Sequence, residues 1–354
     1  MDKFLEFRRA VEQSRERKAL ELFDELYAGR KEYYNIFRQL VLAGARHRPG
    51  KNETHAFLPL SAALESMQFL RTREEVGLMT RRLIMYLCAL KKGKTLEAKA
   101  GAETGDAREH SAAVVRSAAL SLGEKPGPFA FACAARELAD YVGEPGARRI
   151  LAGLKAGKLG SPKPGGGLRT PKKDVDEVLL EASARAGAGH ANLLTGNYLL
   201  KTRRLFDPKT ELHLFAGLEK RAARERKALT EKKIADLIGL THGELELGEA
   251  PADALLEHLL EPSRGHALYV LRELIEQRAT LRAVYPAFLI GGYYCGPKER
   301  LEELVVANAA CQVAERIEKP RALIPLAQAL LAIEAGLRAG KRVEIPTQIV
   351  FPWQ

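Results

Sequence analysis

The sequence predicts an all-α protein, a multi-helix bundle of roughly fifteen helices, and three observations carry that expectation. Alanine, leucine, glutamate and arginine dominate long segments, and these residues lose little side-chain freedom in a helix. Apolar residues recur at three- and four-residue spacing, which lays one apolar stripe along a coil. Strand signals are nearly absent.

Taken in order, Phe4, Phe7 and Val11, then Leu20 and Phe23, mark a first helix, and Tyr34, Phe37, Leu40 and Val41 a second. Leu58 to Leu70 and Val76 to Leu90 give a third and fourth. Gly93, Gly101 and Gly105 break the chain before "REHSAAVVRSAALSL". Gly123 to Pro128 precede "FAFACAARELADYV", where Pro128 fits a first helical turn that needs no donor from it. Gly143 to Gly146 open a short helix.

The stretch "GKLGSPKPGGGLRTPKKD" (Gly157 to Asp174) holds glycines, prolines and bases with no core-forming run, so it reads as a loop or linker. The chain is therefore either one extended bundle or two helical halves, 1–157 and 174–354, joined by a basic Gly/Pro-rich segment at 158–173. Beyond it, helices are expected at Val175 to Ala186, His190 to Leu205, Glu211 to Leu229, Glu231 to Ile238 and Ala252 to Leu260. Four more follow at Arg264 to Arg278, Leu281 to Gly291, Lys298 to Ile317 and Arg321 to Ala339. The closing "RVEIPTQIVFPWQ" is β-prone and reads as an extended tail.

With 354 residues, 46% of them hydrophobic and 29% charged, the chain can bury a substantial core. The longest apolar run, "AVYPAFLIGGYYCGP", is too short to span a bilayer, and the charged start "MDKFLEFRRAVEQSRERK" lacks the apolar segment of a signal peptide. A cytoplasmic protein without a membrane partner is expected. Cys88, Cys133, Cys295 and Cys311 stand far apart in apolar contexts and read as buried small hydrophobes.

The net charge of +11 is unevenly spread. Lys155 to Lys173 holds six bases and no acid, Lys201 to Lys233 holds eleven bases against five acids, and Glu244 to Glu261 holds six acids and no base other than histidine. The segment from Lys201 supplies the nucleic-acid candidates Lys201, Arg203, Arg204, Lys220, Arg221 and Arg224, with Phe206 and Phe215 nearby for stacking. Interleaved Glu211, Glu219, Glu225 and Glu231 fit equally well a solvated helix laced with ion pairs.

Histidines carry the enzymatic expectation. His55, His190 and His266 each precede alanine and an apolar run, and His110 opens "HSAAVV" in the same way. Four imidazoles at helix starts could converge in a bundle core and hold a transition metal such as iron, with Glu53, Glu109 and Glu273 as carboxylate ligands or acceptors behind them. The alternative is four ordinary capping or interface histidines. No His-x-x-x-His pair, no Glu-x-x-His pair and no Gly-x-Ser-x-Gly elbow accompanies them. "CALKKGKT" ends like a phosphate-binding loop but has Cys88 in place of the first glycine, so it reads as a helix end with lysines at the negative end of the dipole. Tyr269, Tyr285, Phe288, Tyr293 and Tyr294 could line an aromatic pocket or edge a core.

The segments "HAFLPLSAALES", "HSAAVVRSAALSL" and "GHALYVLRELIEQ" resemble the all-helical questin-oxidase-like proteins, a family that oxygenates and cleaves aromatic polyketides. The resemblance implies an oxygenating activity on an aromatic compound and touches His55 and His266. The recurrent histidine placement itself points to a helical oxidoreductase, with or without a metal, acting on a small substrate, aromatic or not, in a pocket lined by His55, His110, His190 and His266. The other reading is a non-enzymatic basic helical adaptor for nucleic acid or an acidic protein.

Overall fold

The computed structural model describes residues 2–29, 33–47, 55–93, 107–120, 122, 126–144, 146–151, 168–239, 251–260, 264–276 and 280–338. Among them are seventeen α-helices and no strand, the only extended pairing being an isolated bridge between His47 and Lys92. The expectation of an all-helical bundle holds. Before the basic segment stand α1 (Lys3–Glu12), α2 (Glu16–Ala28), α3 (Tyr33–Gly44), α4 (Phe57–Ser66), α5 (Arg73–Ala89), α6 (Ala107–Leu120), α7 (Pro126–Val142) and α8 (Gly146–Leu151). After it come α9 (Val175–Ala184), α10 (Ala191–Thr202), α11 (Pro208–Ala222), α12 (Glu231–Ile238) and α13 (Pro251–Leu260). The last four are α14 (Arg264–Glu276), α15 (Leu281–Tyr294), α16 (Glu302–Ala314) and α17 (Leu323–Arg338).

Several helix starts follow from local chemistry. Thr72 and Glu75 form a reciprocal capping box on α5, and Asp174, Asp207 and Thr230 each accept a backbone N–H in the first turn of α9, α11 and α12. The Asp207-Pro208 pair moves the start of α11 three residues ahead of the expected Glu211, because proline is well suited to a first turn and aspartate to the cap. The single helix expected over Phe4 to Phe23 is two, since Ser14 adopts a left-handed φ of 57° and breaks the coil between α1 and α2.

The helix expected from Lys298 begins only at Glu302, because the preceding loop is held by a buried cation. Arg82 on α5 is 1% exposed. Its Nε donates to the Tyr293 carbonyl at 2.7 Å, its Nη1 to Lys298 at 3.0 Å, and its Nη2 to Pro297 at 2.9 Å and Arg300 at 3.0 Å. One planar guanidinium thus satisfies the end of α15 and the turn into α16.

Residues from both sides of the basic segment enter one hydrophobic core. Helix α16 is buried on nearly every side and packs on α4, α10, α15 and α17. Gly292 permits a close approach of α15 to α16, because a Cβ there would lie 2.8 Å from the Leu304 Cα. Tyr285, Phe288, Tyr293 and Tyr294 belong to this core, and the Tyr293 hydroxyl lies 3.0 Å from Ser66 Oγ on α4. All four cysteines are buried and unbridged.

Residues 152–167, most of the expected linker, and the expected extended tail from Arg342 lie outside the described residues. Residues 168–174 run beside α11, where the Arg169 N–H donates to His213 Nδ1 at 3.0 Å and the Lys172 N–H to Glu219 Oε2 at 2.9 Å. No described helix is long and apolar enough to cross a membrane.

Candidate functional site

The four histidines singled out from the sequence occupy different settings. His55 stands ahead of α4 with its ring 5.3 Å from that of His47, 4.4 Å from Phe57 and 4.7 Å from Phe131. Both imidazoles accept from backbone through Nδ1: His47 from the Ala56 N–H at 3.0 Å, His55 from the Phe57 N–H at 3.2 Å. His266 on α14 lies 6.0 Å from His258 on α13. His110 is half-buried within α6. Among the described residues no group of three or more histidine, cysteine, aspartate or glutamate side chains could hold a metal ion, so the four imidazoles do not build the expected centre. Glu53 lies outside the described residues, Glu109 is exposed, and Glu273 lies beside Arg272.

His190 has a backbone explanation. It caps α10 in the left-handed conformation, φ 55° and ψ 28°, directly after Gly189 at φ 59°. Burial lowers its pKa below the ordinary imidazole value. A left-handed non-glycine residue is strained by about 1–2 kcal/mol. His190→Gly is therefore expected to leave stability unchanged or raise it in urea unfolding, whereas a drop of several kcal/mol would show that the ring itself holds the structure.

Of the six cations singled out in the basic segment, three are drawn into protein contacts or partly buried and three stay exposed. Lys201 turns inward, and Arg203 Nε pairs with Glu211 Oε1 at 2.5 Å. Arg221 is half-buried, Phe215 is fully buried, and Arg204, Lys220 and Arg224 face outward. The α11 helix thus offers fewer cations and no Phe215 ring to a polyanion.

Lys201 leads instead to a constellation that the sequence reading did not isolate. Helices α4, α7, α10 and α16 pack in a ring, each against two of the others. One polar side chain from each meets at its centre: Glu65, Glu137, Lys201 and Asn308. The Lys201 ammonium pairs closely with Glu65 and lies 3.9 Å from Glu137 Oε2. Asn308 Nδ2 donates to Glu65 Oε2 at 2.5 Å, and Ser61 Oγ donates to Glu137 Oε2 at 2.5 Å. Glu137 and Glu65 hydrogen-bond each other, and Tyr198 hydrogen-bonds Ser61. The ammonium also lies 4.7 Å from the centre of the Tyr198 ring.

Burial and charge together set the protonation of this centre. Burial pushes the Glu137 carboxyl up to about 8; Lys201 opposes the shift and the Glu65 charge reinforces it. At neutral pH Glu137 holds its proton. Burial alone would lower the Lys201 pKa, but the two glutamates outweigh it and raise it, so the group remains an ammonium and not a nucleophilic amine. Burial keeps the Tyr198 phenol and the Cys133 thiol protonated. The side chains keep part of their surface in contact with solvent, 13% for Glu65, 28% for Glu137 and 20% for Lys201.

The arrangement can donate a proton from Glu137, accept one at Glu65, and stabilise developing negative charge with Lys201. Comparison with family models, with curated proteins and with solved structures finds no match to this chain.

A signal for the centre exists in the sequence. Ser61 and Glu65, Cys133 and Glu137, and Asn197 and Lys201 are three polar pairs at i,i+4 spacing on otherwise apolar faces, while Asn308 interrupts "VVANAAC". Polar groups inside an apolar stripe must find each other or forfeit their hydrogen bonds.

Proposed function

We propose that this protein is an enzyme that moves protons to and from a small molecule held where α4, α7, α10 and α16 meet. Glu137 acts as general acid, Glu65 as its partner base, and Lys201 as the fixed positive charge. The observation that carries the proposal is the convergence of one ionisable or amide side chain from each of four helices inside an apolar core. Such burial is costly unless the groups satisfy one another, and here Glu137 is left as an acid in the working range of a proton donor. The oxidoreductase expectation draws no comparable support, since no group of three or more possible metal ligands gathers among the described residues.

The test is a comparison of metabolite turnover by the full chain and by Glu137→Gln. The expected result is consumption of at least one small molecule by the wild type and a loss of about 10²–10⁴-fold in the variant, with its helical content unchanged. Equal turnover by both proteins contradicts the assignment.

The same carboxyl makes stability depend on pH. Folding raises the Glu137 pKa, so the folded chain keeps a proton that the unfolded chain has already released. Its contribution to stability is present in full below the ordinary carboxyl range and is lost as pH rises toward about 8. Urea midpoints are expected to fall across that window in the wild type and to flatten in Glu137→Gln. A wild-type slope identical to that of the variant would count against a neutral Glu137.

A further inference from the structure

We propose that the outer face of α11, with the extended residues 168–173 that run beside it, grips double-helical nucleic acid by its phosphates. The inference does not depend on the proton-transfer reading. Six cations make the face: Arg169 and Lys172 on the extended stretch, Arg204 at the corner before α11, and Lys209, Lys220 and Arg224 on α11 and just past its end. All six are exposed, and among the described residues none of their side chains is in an ion pair.

The fold gathers them. At 3.6 residues per turn, Lys209 and Lys220 lie within about 20° of each other around α11, away from the Leu214, Leu218 and Ala222 face that enters the core. Arg224 follows Lys220 by one turn. The extended stretch joins the same side, because the Arg169 N–H donates to His213 Nδ1 at 3.0 Å and the Lys172 N–H to Glu219 Oε2 at 2.9 Å. Near the start of α11 the exposed Arg116 of α6 adds to the charge, its Nε donating to the Leu205 carbonyl at 3.0 Å. The interleaved acids are engaged locally: Glu211 with Arg203, Glu181 with Lys173, and Asp207 with the first N–H groups of α11.

The chemistry of the face decides between polyanions. A protein partner calls for a desolvated core of aromatic and aliphatic anchors, from which lysine is depleted. Among the described residues the large hydrophobic side chains exposed here are Leu168 and Leu212, with no aromatic ring. An unpaired strand would need rings on which to stack its bases, yet Phe215 is fully buried and Phe206 packs against the core. Recognition of phosphate charge alone remains, and a duplex presents it most densely, with one charge per about 1.7 Å of axis.

The experiment follows the fluorescence anisotropy of a labelled mixed-sequence DNA duplex of about 20 base pairs, titrated with the full-length protein at about 50 and about 200 mM potassium chloride. Binding is expected at the lower salt, weakened about 10²–10³-fold at the higher, as about four to six phosphate contacts require. The triple variant Lys209→Gln, Lys220→Gln, Arg224→Gln is expected to lose at least about tenfold in affinity at low salt and to show a shallower salt dependence, with helical content unchanged. A matched variant, Arg15→Gln, Lys91→Gln, Arg316→Gln, removes the same charge from exposed cations before α2, after α5 and after α16, and is expected to bind as the wild type does. No binding at low salt overturns the proposal, as does an equal loss in the two triple variants, which would report net charge and not this face. Tighter binding of a labelled glutamate-rich peptide would give the face to an acidic protein, and tighter binding of the corresponding single strand would give it to unpaired nucleic acid; either result also overturns the proposal.

Discussion

Lys201→Met is expected to destabilise the fold by about 3–5 kcal/mol, the range seen when one partner of an enclosed ion pair is removed and the other charge is stranded. The stranded group is Glu65, whose carboxylate would keep Asn308 at 2.5 Å but lose the ammonium. Methionine approximates the length of lysine, so packing against Tyr198 is largely kept and the loss reports charge. The double variant Glu65→Met, Lys201→Met removes both charges and should recover most of the loss, because an apolar pair of similar volume often matches a buried salt bridge. Urea unfolding of both proteins measures the difference. A single variant within about 1 kcal/mol of wild type would mean that the pair is solvated like a surface ion pair.

Arg82→Met is the second large effect, expected at about 4 kcal/mol. Four carbonyls lose the guanidinium together, those of Tyr293, Pro297, Lys298 and Arg300, and of these Pro297 alone keeps a backbone donor among the described residues, the Arg300 N–H at 3.0 Å. Burial lowers the Arg82 pKa to about 10, so the guanidinium is still charged at neutral pH and its hydrogen bonds are charge-assisted. Arg82→Lys should recover little, since an ammonium lacks the planar fork that reaches several carbonyls at once. Hydrogen exchange offers a local readout: amides of the turn between α15 and α16 should exchange faster in both variants. Unchanged protection there would assign the clamp no role.

These two residues illustrate what the sequence could and could not convey. Arg82 reads as an ordinary helix arginine in "TRRLIMYLCAL", and only the fold shows that its neighbour Arg81 points to Asp24 while Arg82 enters the core. Lys201 opens a basic stretch and reads in sequence like the cations of α11, although it belongs to the preceding helix and turns inward. The helices themselves were legible because apolar spacing and caps such as Asp207-Pro208 act locally. Their ends were not, because Ser14 and the Arg82-bound turn depend on backbone strain and on contacts from distant residues. The histidine motif meets the same limit. A histidine at a helix start serves capping and turn geometry, as His55 and His190 do here, and spacing along the chain holds no information about where the rings meet. The centre that does form is written as single polar residues on apolar faces, a pattern whose meaning depends on which faces pack together.

The titration of Glu137 tests the account most directly. Carboxyl-¹³C NMR of glutamate-labelled protein, with the resonance assigned by its disappearance in Glu137→Gln, should show a midpoint near 8, far above a solvated glutamate. A midpoint in the ordinary carboxyl range would show a carboxylate open to water, and the four-helix junction would then hold no proton to give.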